Sequence, residues 1–342
     1  MSIWQKSSTQ RPWGRGNPAL LLLLCALLRL LLILAVAFGA VQVPLGDTIS
    51  FFLGREMPQG TWRILRHVRL PRVTAALLAG AALSVSGTVL QGVLANPLAG
   101  PNIIGVNAGS GFFVLAASLL FPGRWELVPL AAFGGALLAC GIIYALAAST
   151  GASRITIVLA GVAVSGFFGA GSDAITVLAP DTWLGANTFL VGGFSGVSAE
   201  AIRFALWYIL GGLLLALLLS HDLNILSLGE EMARSLGLSV GVCRLLFVLT
   251  AAVLAGGAVS LGGLLGFVGL IVPHAARFLA GEDNRLLIPA AALLGASFVV
   301  GCDLLSRLLF APYELPVGIL LNFLGAPFFL WLLFRERRRK AR

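Results

Sequence analysis

Five ionisable residues stand inside otherwise apolar segments and are the first candidates for chemistry: Arg29, Asp173, His274, Arg277 and Asp303. A charged side chain at the centre of a bilayer costs about 2.5–3.5 kcal/mol, so such residues mark a functional position or an internal pair. The sequence contains no H-E-x-x-H motif, and no enzyme activity is predicted. Single cysteines and distant histidines disfavour a zinc site, a disulfide framework or a pathway for bare metal ions. Any metal handled by this chain is expected to be held inside a chelate.

The composition is that of an integral membrane protein. Of 342 residues, 58% are hydrophobic and only 11% are charged, which no soluble domain resembles. The apolar runs are continuous and rich in Leu and Ala, so an all-α, polytopic fold is expected rather than a barrel. We predict one transmembrane domain over 1–342 with ten helices, near 19–41, 73–94, 103–121, 127–149, 155–179, 201–220, 244–262, 264–280, 286–311 and 315–334.

Basic residues at the two ends of the chain predict its orientation. The leader 1–17 carries Lys6, Arg11 and Arg15, and the tail 335–342 carries six basic residues. The positive-inside rule places both ends in the cytoplasm, which agrees with an even number of spans. The net charge of +9 is explained by these orientation signals and by anionic lipid, so nucleic acid is not expected as a partner.

A charged segment interrupts the apolar pattern after the sixth span, within a predicted cytoplasmic loop of about 221–243. Ser227 and Glu230 have the spacing of a capping box, and Glu230 pairs at i, i+4 with Arg234. Gly237 suits a helix C-terminus. Its apolar stripe, made of Leu228, Met232 and Leu236, has nothing in its own loop to pack on. The segment is predicted to be a short amphipathic helix that needs a partner surface; a helix resting on the headgroups is the alternative, which the two adjacent acids disfavour.

The first predicted outer loop, 42–72, has the opposite charge. It holds five arginines but only Asp47 and Glu56 as acids, against the positive-inside preference. Such a loop indicates an acidic partner outside the membrane, although a short basic loop can also be tolerated where the termini dominate orientation. The five arginines are Arg55, Arg63, Arg66, Arg69 and Arg72.

Four longer stretches carry a family resemblance. They are "RLPRVTAALLAGAALSVSGTVLQGVLANPLAGPNIIGVNAG" (69–109), "SLGEEMARSLGL" (227–238), "GFVGLIVPHAARFLAG" (266–281) and "ELPVGILLNFLGAPFFLWLL" (314–333). In order and spacing they resemble the signature regions of FecCD-type permeases, the membrane subunits of type II ABC importers for iron-siderophores, haem and vitamin B12. The resemblance implies a bacterial cytoplasmic-membrane protein with ten helices per subunit and a permease dimer, homodimeric or with a related chain.

The resemblance also implies partners and site residues. A cytoplasmic ABC ATPase dimer would bind the charged segment, and an extracytoplasmic substrate-binding protein would dock on arginines. The implied coupling residues are Gly229, Glu230, Glu231, Arg234 and Leu236, and the implied docking residues are Arg69, Arg72 and Arg307. Asp303, four residues before Arg307, could orient that arginine.

Small and helix-breaking residues suggest where a path could run. Glycines and prolines between 97 and 109 interrupt helix at membrane depth, which is tolerable only where the backbone is buried or lines a cavity. For His274 and Arg277, helix packing and an inner gate both remain open. The candidate translocation residues are Asn96, Pro97, Gly105, Asn107 and Asp173.

The energy source must lie on another chain. A P-loop needs the lysine of G-x-x-x-x-G-K-[ST], and the only lysines are Lys6 and Lys340, both outside that context. No cofactor is expected on this chain; ATP and Mg would be held by the partner ATPase. From the resemblance a ferric siderophore is the first choice of substrate, haem the second and cobalamin the third. An ion-coupled secondary transporter is the alternative class, and Asp173 is the one feature in its favour.

Overall fold

A computed structural model of the chain describes residues 18–149 and 154–340, and in these ranges every regular element is helical. The predicted leader 1–17 and the end of the predicted tail, 341–342, lie outside the described residues. The elements are α1 (Pro18–Ala37), α2 (Leu45–Phe52), α3 (Gln59–Arg63), a π-helical turn (Ile64–Arg69), α4 (Leu70–Val93), a 3-10 turn (Pro101–Ile104), α5 (Val106–Leu120), α6 (Leu127–Ser149), α7 (Arg154–Leu178), α8 (Pro180–Val191), α9 (Ala199–Leu218), α10 (Ser220–Ser227), α11 (Glu230–Ser235), α12 (Val240–Gly262), α13 (Val268–Ala280), α14 (Asn284–Leu308) and α15 (Val317–Lys340).

The all-α membrane fold predicted from the sequence is confirmed. In the part of the chain that the structure describes, seven helical segments are long and apolar enough to span a bilayer, and three shorter apolar segments, α5, α13 and Val317–Trp331 of α15, coincide with the other predicted runs. The short helices α2, α3, α8 and α10 were not expected, because their apolar patterns are too brief to stand out. Lys340 ends α15, so the backbone of the predicted tail continues that helix up to this residue.

Helix α4 is the centre of the bundle. In the apolar window of the continuous helix Gln59–Val93, 89% of the residues are buried, because α12, α13 and α14 pack around it. Small residues allow this close approach. A Cβ added to Gly87 would lie 1.8 Å from the carbonyl oxygen of Gly269 on α13. The Ser84 hydroxyl donates to the Ala291 carbonyl on α14 at 2.7 Å.

The outer helices remain largely uncovered. Only 22% of the apolar window is buried in each of α1, α7 and α9. Large apolar side chains such as Phe167 and Val177 therefore lie open on α7. These faces need lipid or another protein against them.

The helices connect two ends of the bundle. The end of α1, the start of α4 and the end of α14 meet at one end, which we call the arginine end. Helices α10 and α11 and the start of α14 meet at the other, which we call the coupling end. Helix α14 runs between the two ends.

Candidate coupling and docking sites

The charged segment at the coupling end forms the short helix α11, but it begins differently from the prediction. Gly229 is the N-cap residue, with φ +110°, and no side chain caps the helix. The Ser227 hydroxyl instead donates to the Asn224 carbonyl at 2.6 Å. The predicted capping box is therefore wrong, because Ser227 ends the preceding helix α10. The predicted C-terminal glycine is confirmed: Gly237 has φ +84°.

The two adjacent glutamates of α11 have different environments. Glu230 is half-buried and forms an ion pair with Arg244 of α12, whose side chain is buried. It also lies 3.9 Å from Arg234, the predicted i, i+4 partner. Glu231 is exposed. Glu230 thus attaches α11 to a long helix, whereas Glu231 is available to another molecule.

An exposed surface on α11, which we call the coupling face, combines apolar and charged side chains. The predicted apolar stripe is uncovered: Leu228 is 66% exposed, Met232 52% and Leu236 58%. Ala233 points inward and is buried. The coupling face consists of Leu228, Glu231, Met232, Arg234 and Leu236.

A group of amides and an acid, which we call the polar joint, attaches α10 to α14. The Asn224 amide donates to Asp283 at 2.7 Å, and its oxygen accepts from the backbone N–H of Asn284 at 2.9 Å and from the Asn284 side chain at 2.8 Å. Asp283 caps α14 by accepting from the Arg285 N–H at 3.0 Å. These bonds, first from the Arg285 backbone and then from Asn224, lower the pKa of the Asp283 carboxyl below its ordinary value of 3.8. No sequence signal indicated the joint, since its residues are 59 or more positions apart.

At the arginine end, Arg69 and Arg307 cap the last turn of α1. Arg69 donates to the carbonyls of Val36 at 2.6 Å and Ala37 at 2.7 Å. Arg307 donates to the carbonyls of Ala35 and Phe38, each at 3.2 Å. Carbonyls in the last turn of a helix lack partners within it and carry its negative partial charge, so two guanidinium groups stabilise this terminus.

Arg72 belongs to the same group but pairs with acids. Its Nε lies 2.9 Å from Asp303, and its Nη1 contacts Glu314 in the connector before α15. Asp303 is shared, since Arg307 Nε lies 3.1 Å from its other oxygen. The predicted Asp303–Arg307 pair is thus present. We call Arg69, Arg72, Asp303, Arg307 and Glu314 the arginine cluster.

The three predicted docking arginines are therefore interior residues. Arg69 is 4% exposed, Arg72 6% and Arg307 2%. Helix carbonyls and carboxylates within the chain hold all three, so the docking role of these arginines stays a prediction. Three other arginines of the predicted basic loop are exposed: Arg55, Arg63 and Arg66. Arg55 and Arg63 line an open groove of about 560 Å³ together with Trp62.

The candidate path residues have different surroundings. Asn96 accepts from the Leu98 N–H at 2.9 Å, and the Pro97 carbonyl lies 3.0 Å from His274 Nε2. Gly105 is buried with φ +73°, where a Cβ would approach Ile143 at 2.7 Å, and Asn107 is half-buried on α5. Asp173 is exposed, five residues before the end of α7. The described chain brings Pro97 into contact with His274 and leaves Asp173 exposed on α7.

The motif "VPHAAR" takes part in helix packing. Arg277 Nη1 donates to the Gln91 side chain of α4. Together with the His274–Pro97 contact, this attaches α13 to α4 and to the turn that follows it. Of the two open readings of His274 and Arg277, packing is the one for which the structure supplies contacts.

The sequence contains a G-x-S-x-G pattern at 237–241. In hydrolases this pattern forms a turn from a strand into a helix. Here Ser239 lies between the helices α11 and α12, and the described residues contain no strand. The strand-to-helix turn that would give the pattern catalytic meaning is not present around this serine.

Comparisons with known proteins agree with this geometry. The model of the FecCD transport family matches residues 26–335. The iron(3+)-hydroxamate import system permease FhuB of Bacillus subtilis (strain 168) is 37% identical over 335 residues, covering 96% of this chain and 86% of the relative. The hemin transport system permease HmuU of Yersinia pestis is 35% identical over 337 residues, covering 96% and 99%.

A solved structure shows the same fold. The chain superposes on an inward-facing conformation of a metal-chelate type ABC transporter with a TM-score of 0.81 at 30% identity, covering 93% of this chain and 99% of the other. The helices described above, the matched family model and the full-length relatives agree with one another. The chain belongs to the FecCD transport family.

Proposed function

We propose that this chain is the membrane-spanning permease of an ABC importer that moves a metal chelate into a bacterial cell. A ferric siderophore is the first choice of substrate, haem the second and cobalamin the third. The full-length match to import permeases carries the proposal. Identity does not select the substrate, since a hydroxamate permease at 37% and a hemin permease at 35% are almost equally similar.

The coupling face is the surface proposed to receive a separate ATPase dimer. Three exposed apolar side chains on and beside the six-residue helix α11 need a partner, and the neighbouring Glu231 is repelled by anionic lipid. Gly229 permits the sharp entry into α11, and Glu230 with Arg244 connects the helix to α12. ATP and Mg would be held by that ATPase, and no cofactor is proposed for this chain.

A second permease copy is proposed to cover α7 and complete the translocation path. The mostly uncovered α7 carries Asp173, and a carboxylate facing lipid is costly. A homodimer is the first choice and a related heterodimer the second. Asn96, Pro97, Gly105 and Asn107 remain candidates for the path, which would run between two copies. A secondary transporter is disfavoured because Asp173 lies near the end of α7 and not at its middle.

The arginine end is proposed to face outward and to dock a substrate-binding protein. Exposed Arg55, Arg63 and Arg66 would give the first contacts with its acidic side chains. Arg69, Arg72 and Arg307 lie behind this surface, and Arg72 pairs with the partly exposed Glu314. This orientation places both termini and α11 in the cytoplasm.

Reconstitution with the ATPase and binding protein encoded beside this gene tests the proposal. Glu231→Arg together with Leu236→Asp should lower ATP-driven uptake and ATPase binding tenfold or more, by roughly the scale of a lost interface hot spot. Glu126→Arg, a charge reversal of an exposed acid outside the coupling face, is the matched control. Uptake at the control level in the double variant would refute the coupling assignment.

Uptake of labelled iron-hydroxamate, hemin and cobalamin by the same proteoliposomes would identify the substrate, and native mass spectrometry would count permease copies.

The orientation of the chain in the membrane has a separate test. In a variant lacking the four native cysteines, Arg66→Cys should react with an impermeant thiol reagent in intact cells, and Glu231→Cys should react only after permeabilisation. The reverse pattern would overturn the orientation.

A further inference from the structure

The arginine cluster holds more positive than negative charge. Three guanidinium groups face two carboxylates, so one positive charge is in excess. Arg307 Nη2 is buried and has no hydrogen-bond partner. A buried guanidinium nitrogen without a partner is costly, and a carboxylate is its best-matched ligand. One more carboxylate would therefore neutralise the excess positive charge of the cluster.

The two acids of the cluster differ in how firmly they are held. Asp303 is 1% exposed, lies within α14 and contacts both Arg72 and Arg307. The Glu314 side chain is 35% exposed and lies in the connector between α14 and α15. Buried pairs are costly to break, whereas a partly solvated pair is weak. Glu314 is the acid that can leave.

We propose that Glu314 is a built-in ligand of Arg72 that an acidic side chain of the docking partner replaces. This inference rests on the proposed docking at the arginine end. The exchange keeps Arg72 paired at every stage, so docking does not require a desolvated guanidinium to wait for a partner. Glu314 also acts electrostatically on Arg69 and Arg307, so an incoming carboxylate that contacts Arg72 at its position would act on the charges of all three arginines.

Release of Glu314 would free the connector that leads into α15. Residues 309–316 carry exposed Phe310 and Tyr313 and are held by few backbone bonds, one of them from Leu315 N–H to the Ser306 carbonyl at 3.3 Å. Two residues after Glu314 the chain reaches Pro316, and then Gly318 N–H bonds the Gly192 carbonyl at 3.0 Å. Docking would thus change the contact between the end of α8 and the start of α15.

The test measures binding of the substrate-binding protein encoded beside this gene to the complete permease–ATPase complex in nanodiscs. Glu314→Gln removes the competing charge with little change of shape, and we expect docking to tighten about threefold to tenfold. Glu56→Gln removes the same charge from another exposed acid at the arginine end, and it should change affinity less than twofold. Arg72→Gln should weaken docking, and adding Glu314→Gln to it should restore nothing.

The outcomes distinguish the role of Glu314 as a built-in ligand from the docking role of Arg72. Equal tightening by Glu314→Gln and Glu56→Gln would mean general surface charge and would overturn the built-in ligand, as would weaker docking of Glu314→Gln. Unchanged docking of Arg72→Gln would refute the docking role of Arg72 itself. A spin label at Tyr313, on a chain without native cysteines, gives an independent reading: its mobility should rise both on docking and in Glu314→Gln.

Discussion

The two ends of the bundle use charged residues in opposite ways. At the coupling end, α11 is largely exposed, while Glu230 pairs with a buried arginine and Ala233 is buried. At the arginine end, Arg69, Arg72 and Arg307 are all buried and held within the chain. Both regions stood out in the sequence as charges beside apolar spans, so the same signal produced a free surface at one end and an interior network at the other.

The difference shows what each end can do mechanically. A thinly held helix can follow a partner that moves, because few contacts resist it. A buried network instead fixes the relative positions of α1, α4 and α14. Helix α14 connects the two, since its first residues form the polar joint and its last turns carry Asp303 and Arg307.

The largest expected effect is from removing the shared acid of the arginine cluster. Asp303→Asn leaves buried Arg307 without a carboxylate partner and removes one of the two carboxylates of Arg72, so we expect a loss of about 3–5 kcal/mol in stability. Thermal unfolding in detergent measures it. The matched control is Glu126→Gln, which neutralises an exposed acid outside the arginine cluster and should leave the unfolding temperature unchanged. Equal stability of both variants would show that the network does not hold this end together.

The polar joint should respond less strongly. Asn224→Leu removes three hydrogen bonds and leaves the buried Asn284 amide unpaired, which costs about 1–3 kcal/mol. Amide hydrogen exchange in 220–235 should accelerate about tenfold or more, since a factor of ten corresponds to about 1.4 kcal/mol. Ser227→Ala, which alters only a local bond of α10, is the control. Unchanged exchange in Asn224→Leu would mean that apolar packing alone holds α10 on α14.

Substitutions of the two adjacent glutamates of α11 should lower the free energy of unfolding by different amounts. Glu230→Gln weakens the pair with buried Arg244, and because Glu230 is partly solvated we expect a cost of only about 1–2 kcal/mol. Glu231→Gln should change stability by less than about 0.5 kcal/mol, since its side chain is exposed. Chemical unfolding monitored at the coupling end compares them. Equal costs would contradict the division between an attaching and a free glutamate.

The smallest expected effect is the loss of local stability at low pH. The pKa of Asp283 is lowered in the folded protein, so its stabilising contribution is present above the unfolded value near 3.8 and is lost as the pH falls through the lower folded value. The protection factors of the amides at the start of α14 in hydrogen exchange should therefore stay high down to about pH 4 and fall below it. Asp283→Asn should flatten this dependence. A wild-type profile in that variant would assign the acid response to another group.

Local sequence signals predicted some of the structural features. The apolar runs predicted the ten apolar helices, and Gly237 was recognised as the end of α11. The capping box at Ser227 failed because α10 precedes α11, and a single short pattern cannot show that a residue ends one helix rather than starting the next. The polar joint and the Glu314 contact could not be found, since they connect residues far apart in the chain.

The amino-acid sequence by itself determined that this protein is an all-helical membrane protein of the FecCD family without a P-loop, because hydropathy and motifs are local properties. Only the tertiary structure decided which charges are free. Burial depends on which helices pack together, so it made Glu231 a surface residue and its neighbour Glu230 an attachment to Arg244. The same packing buried the three arginines against α1 and Asp303 and left Glu314 at the rim.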